Sequence, residues 1–124
     1  MMWPFFLKGK MAKLNSLKNY RQFKEVYEAR QSKANRYLVM YIQPNREREN
    51  RIGISVSKKT GNSVVRHRIT RLIRESYRLN CHKFKQGYDI VFVARSDAKG
   101  KGYREIESAM LHLAKLHRLL EETI

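Results

Sequence analysis

The spacing of hydrophobic residues changes several times along the chain, and each change marks an element. Tyr20, Phe23, Val26 and Tyr27 recur at helical intervals. Asn19 stands ahead of them as an N-cap, so a short helix is expected to about Arg30. Tyr37 to Gln43 (YLVMYIQ) is dense in strand formers and stops before Pro44. Asn45 to Asn50 is a polar loop. From Arg51 to Ser57, Ile52, Ile54 and Val56 alternate with Gly53, Ser55 and Ser57, the pattern of a half-buried strand. Lys58 to Asn62 reads as a turn, and Ser63 to about Asn80 as a long amphipathic helix. After Gly87, Tyr88 to Ala94 (YDIVFVA) is almost continuously apolar, as a central strand would be. Ser96 to Gly102 is a loop. Ile106, Ala109, Met110, Leu113, Leu116 and Leu120 then form one stripe of a last helix, Tyr103 to about Leu120. The order helix, strand, strand, helix, strand, helix predicts a small single-domain αββαβα sandwich of the α+β class. No repeat, low-complexity tract or linker divides it.

The helix from Ser63 to Asn80 has two unlike faces. At about 100° per residue, Val65, Ile69, Leu72, Ile73 and Ser76 fall on one side. His67, Arg71, Arg74 and Arg78 fall opposite, flanked by Arg66 and Arg68, with no acid directly among them. Like charges three and four residues apart repel by a few tenths of a kcal/mol per pair. A helix that tolerates this expects an outside partner to neutralise the ladder. Arginine suits phosphate, because its planar fork donates two parallel hydrogen bonds. Lys58, Lys59 and the amides near Gly61 to Ser63 sit at the helix N-terminus, which itself attracts anions.

Charge sharpens this picture. The 124 residues carry 27 Lys and Arg against 11 Asp and Glu, a net charge of +16 and a pI near 10.3. Residues 50–88 hold ten of the cations and a single acid, Glu75, whereas residues 103–124 net −1. Charge so focused is an electrostatic footprint, and it points to a polyanion. A membrane partner is disfavoured, because no apolar run approaches the ~18–20 residues of a spanning helix. Residues 1–10 open with MMWPFFL, lack a leading positive charge and precede a second methionine, Met11. They are expected to be a disordered or dispensable extension, leaving 11–124 as the domain. The lone Cys81 rules out an intrachain disulfide and suits a reducing cytoplasm.

Phe23 and Tyr27 stand four apart on one helix face, with Tyr41 on the next element. Aromatics so spaced are ordinarily core. The alternative is a platform on which unpaired bases stack, at roughly 1–3 kcal/mol per base. Neither reading is decided by the spacing. Enzymatic chemistry in the polypeptide is not indicated. Cys81-His82 is an isolated pair, His112 and His117 lie five apart on different helix faces, and converging zinc ligands are missing. Gly61 stands alone, so no nucleotide-binding glycine loop is present. Glu105/Glu107 and Glu121/Glu122 read as solvated charge.

Ser57 to Arg78 reads SKKTGNSVVRHRITRLIRESYR. This resembles the signature of the bacterial ribonuclease P protein subunit: SKK-x-GN at a strand end, V-x-R-N-R, then two further basic positions on the same helix. The aromatic pair, the ANRYLVMY segment and the GYDIVFVAR segment follow the family's order, so the resemblance spans about Leu14 to Leu120. It implies the α/β sandwich also seen in one domain of a ribosomal small-subunit protein, with a left-handed strand–helix–strand crossover where the right-handed form would ordinarily be expected. It implies an RNA-binding subunit that assists a catalytic RNA in endonucleolytic removal of the 5′ leader from precursor tRNA. Catalysis, with Mg²⁺, would reside in the RNA, and no cofactor would be bound by the chain alone. By the resemblance, Lys58, Lys59, Arg66, His67, Arg68, Arg71, Arg74 and Arg78 lie against the catalytic RNA, and Phe23, Tyr27 and Tyr41 line the cleft for the single-stranded leader. His67 stands where the family usually has asparagine, though it still donates. Thr70 replaces a usual cation and is left out of the site. The protein is expected to be monomeric without RNA. A ribosomal or other structural RNA-binding protein with the same fold is the alternative. A DNA-binding regulator is disfavoured, because the helix face offers only Arg, His and Thr to read base edges.

Overall fold

The computed structural model describes residues 15–121, so the expectation for residues 1–10 lies outside them. Among the described residues there are three α-helices: α1 (Tyr20–Glu28), α2 (Ser63–Asn80) and α3 (Tyr103–Leu116). Four strands form one sheet: β1 (Ser32–Ala34), β2 (Leu38–Pro44), β3 (Arg51–Ser55) and β4 (Tyr88–Ala94). Their order across the sheet is β1-β2-β4-β3. β2 is antiparallel to both its neighbours, and β3 is parallel to β4. The β3–β4 pair is therefore joined by a crossover through α2; β3 carries the alternation read from the chain, and β4 is the continuously apolar central strand.

Alternation divides the sheet between two clusters. Leu38, Met40, Ile42, Ile52, Ile90 and Phe92 point to the side covered by α2 and α3, where Ile69, Ile73, Tyr77, Ile106, Met110 and Leu113 meet them. On the other side, among the described residues, α1 lies across the sheet. There Leu17, Val26 and Val91 are buried, and Phe23, Tyr27, Tyr41 and Val93 are half-buried. Both sheet edges are managed. The outer edge of β3 is covered by residues 15–17, with Leu17 N–H donating to the Ile52 carbonyl at 3.0 Å and Ile52 N–H to Asn15 at 2.9 Å. The β1 edge is three residues long and fully exposed, too short to template aggregation.

Five features depart from the sequence expectation. β2 runs Leu38–Pro44, one residue on from Tyr37–Gln43, with Pro44 as its last position, opposite Tyr88. β1 is an additional strand. Ser32-Lys33-Ala34 is too short and polar to show a period, and it exists because β2 offers a partner in register, Ser32 opposite Tyr41. β3 ends at Ser55, where the chain leaves the sheet for a 3₁₀ turn at Lys58–Thr60. α1 ends at Glu28, and Arg30 takes a positive φ of 58°. α3 ends at Leu116, because Arg118 turns to φ 60° and redirects Leu119 and Leu120 back to the sheet side, where Leu120 bridges Phe84.

Candidate nucleic-acid interface

Asn62 caps α2, its side chain accepting from Val65 N–H at 3.0 Å. Gly61 is required beside it, since a Cβ there would lie 2.8 Å from Val65 Cγ1. Thus the SKK-x-GN segment is a compact turn that starts the helix and leaves Lys58 and Lys59 exposed at its mouth. Along α2, Ile69, Ile73, Ser76, Tyr77 and Asn80 are buried. Tyr77 and Asn80 extend the inner face beyond the expected arc, and Val65 and Leu72 are only half-buried at its margins.

The outer face carries His67, Arg68, Arg71 and Arg74 in solvent. A shallow groove runs along it, lined by Val64, His67, Arg68, Arg71, Leu72 and Glu75. Val64, 75% exposed in the first turn, is an apolar member that charge-based reading overlooked. Three of the expected cations have local partners. Arg66 is half-buried and its Nε donates to the Gly61 carbonyl at 3.3 Å. Arg68 donates to the Lys101 carbonyl at 3.0 Å. Arg78 forks onto Glu75, Nε to Oε1 at 2.9 Å and Nη2 to Oε2 at 2.5 Å. The ladder therefore does contain an acid, one turn from where the wheel places it, because i,i+3 neighbours meet on a helix. The Arg78 guanidinium holds the Glu75 carboxyl below its ordinary value, with Arg71 adding to the effect. Thr70 is turned inward, its hydroxyl donating to the Arg66 carbonyl at 2.9 Å.

On the opposite side of the sheet, Phe23, Tyr27 and Tyr41 come together, all three half-buried. Tyr27 and Tyr41 meet edge to face, with centroids 4.8 Å apart and planes at 80°. Phe23 lies directly on Gly53. A Cβ at Gly53 would stand 2.7 Å from the ring, so glycine in β3 makes room for the aromatic. Burial pushes the Tyr27 hydroxyl above its ordinary value, and Ser55 beside it offsets part of the rise. Ser55 ends β3, and Lys58 follows three residues on, at most about 10 Å of chain. The aromatic cleft thus opens close to the mouth of the basic helix. Gly53 and Ser55 shape this cleft, though the sequence reading treated them only as the polar phase of a strand.

Elsewhere, two expectations are corrected. Glu105 is not simply solvated, since it accepts from Gly102 N–H at 3.0 Å and closes the first turn of α3. Glu107 accepts from both Asn80, at 2.8 Å, and Tyr103, at 3.0 Å, which ties α2 to α3 and lowers its proton affinity. Among the described residues no three His, Cys, Asp or Glu side chains gather in a way that could hold a metal ion. No helix among them is long and apolar enough to cross a membrane.

Comparison with known proteins places this geometry. A family model described as Ribonuclease P matches residues 11–118. The chain is 61% identical over 108 residues to the ribonuclease P protein component of Lachnoclostridium phytofermentans, covering 87% of this chain and 93% of that protein. It is 49% identical to the corresponding component of Alkaliphilus oremlandii, covering 92% of this chain and all of that one. Among solved structures, the Staphylococcus aureus RNase P protein superposes with a TM-score of 0.80 at 34% identity, covering 88% of this chain and 100% of that one. The RNase P protein from Thermotoga maritima gives a TM-score of 0.75 at 27% identity, covering 82% and 96%. The basic α2 face, the aromatic cleft and these likenesses agree: the chain belongs to the ribonuclease P protein family.

Proposed function

We propose that this chain is the RNA-binding protein subunit of a ribonuclease P, working with a catalytic RNA to remove the 5′ leader of precursor tRNA. The observation that carries the reading is the pairing of two surfaces: an exposed arginine face on α2, and an aromatic cleft left half open across the sheet. In this reading Lys58, Lys59, His67, Arg68, Arg71 and Arg74 neutralise phosphates of the catalytic RNA. Arg66 and Arg78 stand at its margins. Phe23, Tyr27 and Tyr41 offer ring faces and edges to unpaired leader bases, which stack on them without sequence preference. The chain positions RNA and lowers its repulsion. In this reading Mg²⁺ held by the catalytic RNA would supply the hydrolytic chemistry, and the chain's own residues bind and orient RNA. The subunit is monomeric without RNA and acts in the cytoplasm.

The test is reconstitution with a bacterial ribonuclease P RNA at low Mg²⁺. Addition of the chain restores precursor-tRNA cleavage. Arg71→Ala weakens binding to the catalytic RNA by about 1–3 kcal/mol and flattens the salt dependence by up to about one unit of slope. Tyr27→Ala lowers affinity of the holoenzyme for precursor tRNA by roughly 1–3 kcal/mol. Affinity for mature tRNA, which has no leader, stays unchanged. Equal losses for precursor and mature tRNA would return Tyr27 to the core.

A further inference from the structure

The basic surface continues past α2. Asn35, in the turn between β1 and β2, pins that turn to α3. Its Oδ1 accepts from the amides of Tyr37 at 3.3 Å and Leu38 at 3.1 Å, and its Nδ2 donates to the Ala109 carbonyl at 3.0 Å. Arg95, at the end of β4, donates to the Asn35 carbonyl at 3.0 Å. Arg36 is thereby held at the tip of the turn. The loop from β4 to α3 adds Lys99 and Lys101, and the first turn of α3 adds Arg104. Arg36 and Lys101 both rest over the Tyr37 ring, 5.8 and 5.6 Å from its centroid, so cation–π attraction holds the two heads in place. A groove beside them is lined by Arg36, Tyr37, Arg104 and His112 among others, with Glu105 as its one carboxylate.

Acids do not balance this cluster. Asp97 meets Arg36 at 3.2 Å, but both are well exposed and such a pair is worth little. Glu105 is turned back onto the Gly102 amide. Among the described residues, Arg95, Lys99, Lys101 and Arg104 make no ion pair with a carboxylate. The cluster also joins the α2 face, because Arg68 donates to the Lys101 carbonyl.

We propose that Arg36, Lys101 and Arg104 form a second phosphate-binding surface, which carries the backbone of the catalytic RNA onward from the α2 ladder. The proposal rests on the reading of that ladder as RNA-facing. Phosphate, rather than a base, is the ligand, since the Tyr37 ring already carries two cations. The catalytic RNA is the source, because the surface is continuous with α2 and lies on the α2–α3 side of the sheet, away from the aromatic cleft.

The experiment compares three full-length variants by salt-titrated binding to the catalytic RNA: Arg36→Gln/Lys101→Gln/Arg104→Gln, a charge-matched Lys24→Gln/Arg46→Gln/Arg48→Gln, and Arg71→Ala. Thermal melts check that each is folded. The first variant binds tenfold or more weakly at about 0.1–0.2 M salt and loses about two to three units of slope, one per phosphate released. The charge-matched variant changes less than about threefold and keeps its slope, as long-range charge alone would be screened. Equal behaviour of the two triple variants overturns the proposal. So does unchanged binding to the catalytic RNA with a loss confined to precursor tRNA. Arg71→Ala reports on the ladder separately: normal binding there, with the first variant weakened, ends the ladder reading and keeps this surface.

Discussion

The two sides of one sheet are put to different uses. On the side of α2 and α3, Met40, Ile69, Ile73, Ile90, Phe92, Ile106, Met110 and Leu113 are fully buried, and two helices seal the layer. On the side of α1, among the described residues, Leu17, Val26 and Val91 make up the buried apolar cluster, and the large rings stay half-buried. A chain of this size buries roughly two-thirds of its unfolded surface, so it cannot afford two complete cores. Concentrating apolar burial on one side fixes α2, and a fixed α2 presents its arginines in a constant array. The other side keeps rings available at the cost of incomplete packing. Stability and the proposed leader contact therefore draw on opposite phases of the same strands.

The largest effect that tests this division is Ile73→Ala. Ile73 is 0% exposed between α2 and the sheet, so truncation costs about 2–5 kcal/mol by lost transfer energy and the cavity left behind. RNA binding fails with it, since the ladder loses its support. Denaturant unfolding measures the loss. A cost under about 1 kcal/mol would show that the sealed side is not where stability resides. Next is Gly53→Ala, on the open side. The added methyl meets Phe23 at 2.7 Å and Leu17 at 3.0 Å, so the ring must lift from the sheet. Overpacking of this kind costs about 1–3 kcal/mol. Because the ring that moves belongs to the cleft, the ratio of precursor to mature tRNA affinity falls as well, which Ile73→Ala does not do selectively. An unchanged ratio with lowered stability would make Phe23 a packing residue only.

A smaller effect sharpens the view of the ladder. Glu75→Gln removes the carboxylate that occupies Arg78, both being partly exposed. The pair contributes at most about 1 kcal/mol to stability, by the usual worth of surface ion pairs. Freed, Arg78 becomes a further phosphate donor, so binding to the catalytic RNA tightens and the salt slope steepens by up to about one unit. The carboxyl is held below its ordinary value of 4.5, so its contribution is present above that value and fades as the pH falls beneath it. Identical salt slopes for the two proteins would mean that Arg78 does not face RNA.

What was legible in the sequence follows the same division. The sealed side announces itself: Ile69 and Ile73, and Ile106, Ala109, Met110 and Leu113 of the α3 stripe, recur at helical spacing because burial imposes it, while Leu116 of that stripe is exposed. The Tyr88–Ala94 run shows as a continuous apolar strand because both of its faces are covered. The α2 outer face was legible because its run of exposed cations has no packing role. β1 was not, since Ser32-Lys33-Ala34 has no apolar side of its own and forms only against β2. The Arg78–Glu75 fork was missed because a wheel projection weighs angle and ignores the reach of long side chains one turn along. Gly53 escaped notice because its role is the absence of a side chain beneath a ring contributed by a distant helix. The C-terminal residues departed from their stripe at Arg118, where a left-handed residue breaks the helix without any glycine or proline to signal it.

The smallest expected effect concerns His117, a polar group caught on the sealed side. Its Nε2 lies 2.9 Å from the Met40 carbonyl of β2, and since a carbonyl only accepts, Nε2 carries the proton. Burial pushes the imidazole below its ordinary value of 6.5. The Met40 carbonyl works against that shift, and the Lys33 charge adds to it. The folded protein therefore prefers neutral His117, while the unfolded chain takes up a proton near pH 6.5. Between the lowered folded value and 6.5 the unfolded state binds more protons, so stability rises with pH across that window. The contribution is complete above 6.5 and is lost as the pH falls through the folded value. Melting temperature should thus decline on acidification below pH 6.5, ahead of the carboxylate window set by Glu75 and Glu107. His117→Gln keeps a donor near β2 but does not titrate, so its profile stays flat until the carboxylates protonate. Because the ring is only half-buried, the difference is smaller than that of Glu75→Gln. Parallel profiles for the two proteins would mean that protonated His117 is accommodated at no cost, and that the sealed side is open to water at its C-terminal corner.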